Sequence, residues 1–413
     1  MKVLLGGSPC THWSIAQTKN RETKAEGIGW ELFLNYRIAR DKYQPDYFLY
    51  ENNKSMSPAI REQITAELGV EPVLINSALV SAQNRQRLYW VGKRNPDGTY
   101  SQVAVEQPVD RGILLRDILE SGVRWKEKGY ALLSTTGGTT AEPVRRIGTI
   151  QNDAKNHTHD SQQYRVYSPD GKGVTLCGNG GGLGAKTGLY AVPVGTAVDA
   201  EKNTVAKSID DIVSKKGYLP EMFNPYNRAE ITTKSPTLST GSMVTSSCAV
   251  LMVETADGKQ TPIYKVRGGL ITIKGKTYPI KLRDGCYSIR KLTVTECKRL
   301  QTVPGTYVFP VSDTQAYKML GNGWTVDVIA HIMSHFDGLT AEPVEVLSMY
   351  DGMSCGHIAL DKLGAKITTY YATEIDKYAI QTTQHNFPNT VQLGDAFQVR
   401  APDWELPQKE ENL

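Results

Sequence analysis

Val344-Glu-Val-Leu-Ser-Met-Tyr-Asp-Gly-Met-Ser-Cys-Gly356 is the stretch that decides the fold. Its apolar run, Val344 to Met349, has the length of a buried strand and breaks into a turn that carries Gly352 and Gly356. Ile358 to Leu363 then reads as a helix stopped by Gly364, and Ile367 to Ala372 as a second strand that delivers Glu374. Strand, glycine turn, helix and strand make a βαβ unit, which belongs to a parallel sheet. Asp351 and Glu374 stand 23 residues apart. An acid at the end of the second strand, at about that spacing, can hold two ribose hydroxyls. The turn is not GxGxxG, which fits the pyrophosphate of a dinucleotide poorly and a single nucleoside such as S-adenosylmethionine better. Taken alone, an ordinary βαβ turn with a solvent-facing glutamate reads the same way.

The alternation recurs at the other end of the chain. Within residues 1–120, Val3 to Leu5 forms a strand that runs into Gly6-Gly-Ser-Pro-Cys10, and Tyr47 to Tyr50 forms another that ends at Glu51. Trp30 to Arg40 reads as a helix between them. Ser57-Pro58 opens a further helix with an N-cap serine, carries Ile60, Ile64 and Leu68 at i, i+4 spacing, and stops at Gly69. The expected fold class is therefore α/β, a doubly wound, mostly parallel, Rossmann-like sheet whose site lies at the carboxyl ends of its strands.

Residues 121–288 change to glycine, serine and threonine with short β-prone runs, and predict a smaller strand- and loop-rich domain. Its glycine loop, Cys177 to Gly184, is no phosphate-binding P-loop, because Ala185 separates Gly184 from Lys186. Residues 289–342 return to the first domain, with a capping box at Thr293 and Glu296 and a helix from Thr325 that carries Val328, Ile329, Ile332, Met333 and Phe336 on its apolar side. Residues 343–413 supply the βαβ unit.

Two domains also follow from size, since 413 residues exceed the roughly 250–300 at which single cores split. The net charge of +4 is only a weak lean toward anionic partners. The six cysteines are scattered, with no CxxC pair, so neither a disulfide framework nor a metal site is expected. No apolar stretch reaches the roughly 18 residues of a membrane span. The expectation is a soluble, cytoplasmic protein.

A lone cysteine behind a proline is ordinarily a small buried hydrophobe. Cys10, however, sits at a strand end behind Gly6-Gly7, opposite a strand that ends in Glu51, while Gln83-Asn-Arg-Gln-Arg87 brings Arg85 and Arg87 to one face of a third segment. Thiol, carboxyl and guanidinium together suit nucleophilic attack on a polar heterocycle.

Gly7-Ser-Pro-Cys10, Glu51-Asn52, Gln83-x-Arg85-x-Arg87, Arg290-Lys-Leu-Thr293 with Glu296, Arg299-Leu-Gln301, Pro304 and Gly321-Asn322 resemble, in order and spacing, successive blocks of the cytosine-5 DNA methyltransferase family. Leu347-Ser-Met-Tyr-Asp-Gly352, Glu374 and Gly394-Asp395 resemble the cofactor blocks of the same family, which normally come first in the chain and here come last. The resemblance is thus to a circularly permuted member. Its motif wording is nearest to the de novo DNA methyltransferases and their prokaryotic and phage relatives. It covers nearly everything except parts of 121–288.

The resemblance implies methyl transfer from S-adenosylmethionine, without a metal, to carbon 5 of a flipped-out cytosine in double-stranded DNA, inside a prokaryotic or phage-infected cell. Cys10 would be the covalent nucleophile, Glu51 would act at the ring nitrogen N3, Arg87 would contact O2 and steady Glu51, and Arg85 would support Cys10. Tyr350, where relatives have Phe, and Ile375 would pack on the adenine, Glu374 would hold the ribose, and Asp395 would take the adenine amino group. Asp351, Gly352, Gly356, Asn322 and Trp324 would complete the pocket. Ser14, Ile15 and Gln17, in the loop from Thr11 to Gly29, correspond to residues that enter the DNA. Lys186, Arg228 and Lys234 are candidate phosphate contacts in the smaller domain, which by analogy recognises the target; each is equally readable as a solvated charge. An RNA-methylating relative and a catalytically silent DNA-binding one are the alternative readings.

Overall fold

The computed structural model describes residues 1–13, 21–120, 144–150, 164–176, 188–193, 211, 213–217, 253–254, 260–261, 263–273, 276–282, 284–290 and 292–407. The chain divides into two compact units, Met1–Arg111 with Lys298–Leu413, and Gly112–Cys297. The strands of the first unit are β1 (Lys2–Gly6), β2 (Tyr47–Asn53), β3 (Pro72–Asn76), β4 (Gln86–Arg94) and β5 (Tyr100–Gln102), then β15 (Pro343–Met349), β16 (Lys366–Thr373) and β17 (Val391–Gly394). Those of the second are β6 (Arg146–Thr149), β7 (Arg165–Tyr167), β8 (Leu189–Pro193), β9 (Val253–Glu254), β10 (Gln260–Thr261), β11 (Ile263–Arg267), β12 (Leu270–Ile273), β13 (Lys276–Pro279) and β14 (Gly285–Arg290).

The sheet of the first unit runs β17-β16-β15-β1-β2-β4-β3, with β5 on β4. Pairing is parallel from β17 through β2, and β4 lies antiparallel to both β2 and β3. Chain order climbs outward from β15 to β17 on one side and from β1 to β2 and β4 on the other, with β3 outermost, so the β15·β1 pair is the point where the winding reverses and where a doubly wound sheet opens a crevice at its carboxyl end. Leu4 pairs with Leu347 and Gly6 with Met349. The ends of these two strands release the Gly7–Cys10 and Tyr350–Gly356 segments side by side.

Helices cover both faces, as alternate side chains on the strands require. Helix Gly27–Tyr43 buries Trp30, Phe33, Tyr36 and Tyr43. They join Tyr50, Trp90, Leu347, Met349 and Tyr371 in one core. Phe33 and Tyr50 meet edge to face at 5.3 Å, a geometry that adds to burial. Burial of Phe33 alone stabilises by about 1.5–3 kcal/mol, and Phe33→Ala would remove it. On the opposite face Tyr370 stacks on His357 of helix Cys355–Leu363 at 4.5 Å. Helix Val326–Met333 packs on this same helix.

Local signals act as the residue chemistry demands. Ser57 accepts from Ile60 N and Gly69 adopts the left-handed conformation at the end of helix Pro58–Leu68. Thr293 N donates to Glu296 Oε2 and Glu296 N to Thr293 Oγ1, the reciprocal capping box ahead of helix Val294–Leu300. Arg290 ends β14. β2 runs to Asn53, two residues past Glu51. Helix Asp313–Asn322 and helix Lys377–Asn386 lie where the sequence drew no element.

The second unit contains a seven-stranded sheet, β13-β12-β11-β14-β8-β7-β6, antiparallel except for β7·β8. Its core gathers Val166, Leu189, Val266, Ile271 and Ile280. Ser14, Ile15, Gln17, Lys186, Arg228 and Lys234 lie outside the described residues, as does the Cys177–Gly184 loop. No helix among the described residues is long and apolar enough to cross a membrane.

Candidate active site

The sheet's carboxyl edge assembles two clusters that share Trp324. Glu51, near the end of β2, is buried. Its Oε1 meets Arg87 Nε at 3.0 Å and its Oε2 accepts from Trp324 Nε1 at 3.0 Å. Arg87 projects from β4, whose Cα register sets it opposite Asn53. A carboxylate held by a guanidinium and an indole N–H is fixed in place, with little rotamer freedom.

Arg85 and Arg87 do not belong to one strand as their spacing predicted. β4 begins at Gln86, so Arg85 lies in the segment before it. It is buried and donates to Gly321 O at 3.2 Å and Gly323 O at 2.9 Å. Gln301 Nε2 reaches Gly323 O as well, at 3.2 Å, and Gln301 Oε1 accepts from Thr325 Oγ1. Arg85 and Gln301 thereby anchor the Gly321–Thr325 segment that carries Asn322 and Trp324.

Cys10 opens a short 3-10 turn, Cys10–His12. The residues that lead to it are tied to β2. Asn52 Nδ2 donates to Ser8 O at 3.1 Å, and Ser8 Oγ and Tyr50 Oη lie 2.6 Å apart. Gly7 is required by closeness: a Cβ there would stand 2.9 Å from Glu51 O, 3.0 Å from its Oε2 and 3.4 Å from Trp324 Cζ2. A Cβ on Gly356 would meet Leu5 Cδ1 at 2.6 Å and Trp324 Cζ3 at 3.8 Å. The indole of Trp324 thus runs from the Gly7·Glu51 side to the Gly356 side.

The second cluster is polar at its base. Gly352 takes a left-handed φ of 60° and has open space where a side chain would be, while its N–H donates to Glu374 Oε2 at 2.8 Å. Glu374 Oε1 accepts from Ile375 N and Asp376 N. Three amides therefore orient the carboxylate, and the acceptor capacity that remains lies on Oε2. Ile375 is 74% exposed, an apolar side chain left bare at a strand end. Asp395 is exposed and caps Phe397 N with Oδ1. Tyr350 is tied at its N–H to Thr373 Oγ1, 3.0 Å away. Open space over Gly352, a fixed acid, bare aliphatic surface and a second acid suit a nucleoside with a ribose diol and an adenine-like ring. The residues present fit S-adenosylmethionine.

Asp351 lies beneath this cluster. Its Oδ1 accepts from Tyr370 Oη at 2.8 Å and its other oxygen from Ser354 Oγ. Burial, reinforced by nearby Glu374, pushes the carboxyl up to about 6 despite these donors. Burial also pushes the Cys355 thiol up to about 12, which keeps it neutral and inert.

Sequence reading missed Ser8, Tyr50, Asn52, Ser354 and Tyr370 as parts of the site. Asn52 was legible as the neighbour of Glu51; the others signal nothing until the strands are placed.

Among proteins of known kind, the family described as C-5 cytosine-specific DNA methylase matches residues 1–337. The orphan methyltransferase M.Rho11sI of Bacillus phage rho11s is 27% identical over 240 residues, 46% of this chain and 47% of that one. The chain therefore spans about half the length of that relative. The type II methyltransferase M.HpaII of Haemophilus parainfluenzae is 25% identical over 341 residues, 79% of this chain and 69% of that one. Among solved structures, the Entamoeba histolytica methyltransferase EhMeth is similar at 12% identity and a TM-score of 0.36, covering 81% of this chain and 76% of that one. Because the family match takes in residues 1–337 of 413, the chain belongs to the C-5 cytosine-specific DNA methylase family.

Proposed function

We propose that this protein methylates carbon 5 of cytosine in duplex DNA through a covalent Cys10 adduct, with S-adenosylmethionine as donor. The observation that carries the reading is the β15·β1 pair, which sets the glycine turn of residues 351–356 beside the Cys10 segment. Bound S-adenosylmethionine supplies an electrophilic sulfonium methyl. Tyr350 and Ile375 would flank its adenine, Glu374 its ribose, Asp395 its amino group, and Asn322, Trp324, Gly352 and Gly356 its methionine portion.

Carbon 5 of cytosine is a weak nucleophile until a group adds at carbon 6. The Cys10 thiolate forms that carbon–sulfur bond and moves electron density onto carbon 5. In its protonated form Glu51 gives a proton to N3 as charge builds, which makes the addition feasible, and Arg87 holds O2 and the Glu51 carboxylate that results. Arg85 keeps the Gly321–Trp324 backbone fixed against this cluster. After carbon 5 is methylated, its proton passes to water, the electrons of the carbon–sulfur bond return to Cys10 as thiolate, and N3 gives its proton back to Glu51. The target base has to leave the stack to reach these groups, at a cost of a few kcal/mol. Gly112–Cys297 would select the site along the DNA, with Lys186, Arg228 and Lys234 as candidate phosphate contacts, and Ser14, Ile15 and Gln17 would enter the space the base leaves.

Transfer of labelled methyl to duplex DNA and to transfer RNA, together with trapping on duplex containing 5-fluorocytosine, tests the reading. Incorporation into DNA and a covalent adduct that Cys10→Ser abolishes are expected. Incorporation into RNA alone, or no adduct with the intact protein, would overturn it.

A further inference from the structure

The hydroxyl of Tyr350 makes contacts that ring packing does not need. It donates to Leu32 O at 2.7 Å and accepts from Asn35 Nδ2 at 3.3 Å. Asn35 is fully buried, and its Oδ1 in turn accepts from Arg400 Nε. Arg400 also donates to Glu31 O at 3.0 Å and pairs with the Glu31 carboxylate at 2.7 Å. A buried amide is tolerated only when both its ends are satisfied. Here they are satisfied by the segment after β15 and the segment after β17, so helix Gly27–Tyr43 is fastened to the strand ends that wall the nucleoside pocket.

The same helix is fastened at its first turn to the nucleophile's neighbours. Gly29 N donates to Glu22 Oε2 at 3.1 Å, and Trp13 Nε1 donates to the same oxygen at 3.1 Å. Glu22 N donates to His12 O at 2.9 Å. A Cβ on Gly29 would stand 2.5 Å from Glu22 Oε2 and 2.6 Å from Trp13 Nε1, so this joint has no slack. Trp13 is fully buried, and His12 closes the turn that Cys10 opens. An unbroken series of hydrogen bonds and one rigid helix therefore runs from the Tyr350 hydroxyl to the Cys10 turn.

We propose that Tyr350 is a positioning residue whose hydroxyl, through Leu32, Asn35 and Glu22, couples occupancy of the nucleoside pocket to the placement of the Cys10 turn. The inference rests on the cofactor reading above. A phenylalanine would pack on an adenine equally well but leave Leu32 O and Asn35 Nδ2 without this partner; the hydroxyl is what joins the helix to the segment after β15.

The probe is S-adenosylhomocysteine, and the readouts are its dissociation constant, hydrogen exchange at the Glu22 and Gly29 amides, and kcat against KM. In the wild type the ligand slows exchange at both amides. Tyr350→Phe binds it within about threefold of wild type, loses that slowing, and shows kcat lower by about three- to tenfold, the worth of one hydrogen bond. Arg400→Met leaves the Tyr350 ring and hydroxyl in place, and weakens the slowing by freeing Asn35. Retained slowing in Tyr350→Phe, or loss of binding in step with kcat, overturns the inference alone. A wild-type protein that binds no S-adenosylhomocysteine overturns the cofactor reading, and the coupling with it.

Discussion

Replacing Gly7 by alanine tests the active-site geometry with the smallest possible perturbation. The added Cβ would meet Glu51 O at 2.9 Å and Glu51 Oε2 at 3.0 Å, with Trp324 Cζ2 at 3.4 Å. The first of these is backbone of β2, paired at Glu51 with Tyr89 of β4, and cannot swing away. Relief must come from a shift of a few tenths of an ångström by the Ser8–Cys10 segment or by the Glu51 carboxylate. Overpacking of this kind costs about 1–3 kcal/mol of stability. Since a 1 Å misplacement costs about a hundredfold in rate, a shift of that size predicts a loss in kcat of about tenfold. Gly305→Ala is the matched control, because nothing lies within 4 Å of its Cβ and its φ is outside the left-handed region. Methyl incorporation under saturating donor and DNA, with thermal unfolding of both variants, gives the comparison. Gly7→Ala with kcat within twofold of Gly305→Ala would refute the packing of thiol segment against carboxylate.

The Glu51·Arg87 pair, both side chains largely buried, predicts strong coupling in denaturant unfolding: Arg87→Met destabilises by about 3 kcal/mol, and Glu51→Gln added to it restores at least about 1 kcal/mol, because an orphaned buried charge is the costly state. Asp351, pushed up to about 6, binds a proton in the folded protein at a pH where the unfolded chain has already lost it. Its contribution is present below the usual carboxylate range and is lost as pH rises through about 6, so Asp351→Asn raises the melting temperature more at about pH 7.5 than at about pH 4.5. Equal shifts at both pH values in a thermal scan would contradict a carboxyl pushed up by burial. Glu374→Ala removes the acceptor of Gly352, Ile375 and Asp376 N–H and weakens S-adenosylhomocysteine binding by at least about tenfold, read by calorimetry, with thermal unfolding reporting the smaller structural cost.

What sequence could reveal follows from how local each cause is. The strand, glycine turn and helix of residues 344–364 and the caps at Ser57, Gly69 and Thr293 were legible because a few neighbouring residues determine them. Arg85 was read into a strand that it only precedes, for the opposite reason. The i, i+2 rule holds only within a strand, and whether β4 starts at Gln86 or at Gln83 is settled by its partners β2 and β3, not by the segment itself. Helix Asp313–Asn322 escaped notice because its apolar face is short, Ala316, Met319 and Leu320, and its end is fixed by Gln301, which accompanies it from outside. Ser8, Tyr50 and Tyr370 are ordinary residues whose roles exist only once β1, β2 and β16 are side by side.

Permuted order is the case where locality matters most. A parallel pair is specified by which side chains face which layer, and the β15·β1 register, Leu4 opposite Leu347 and Gly6 opposite Met349, needs no covalent link between its members. Leu347 and Met349 enter the core under helix Gly27–Tyr43 together with Leu4, so burial alone selects that pairing and that register. A slip of one residue would turn Leu347 and Met349 to the other face and withdraw Tyr350 from Leu32 and Asn35. The geometry that sets the segments after β1 and β15 side by side is therefore enforced by the same apolar contacts that fold the sheet.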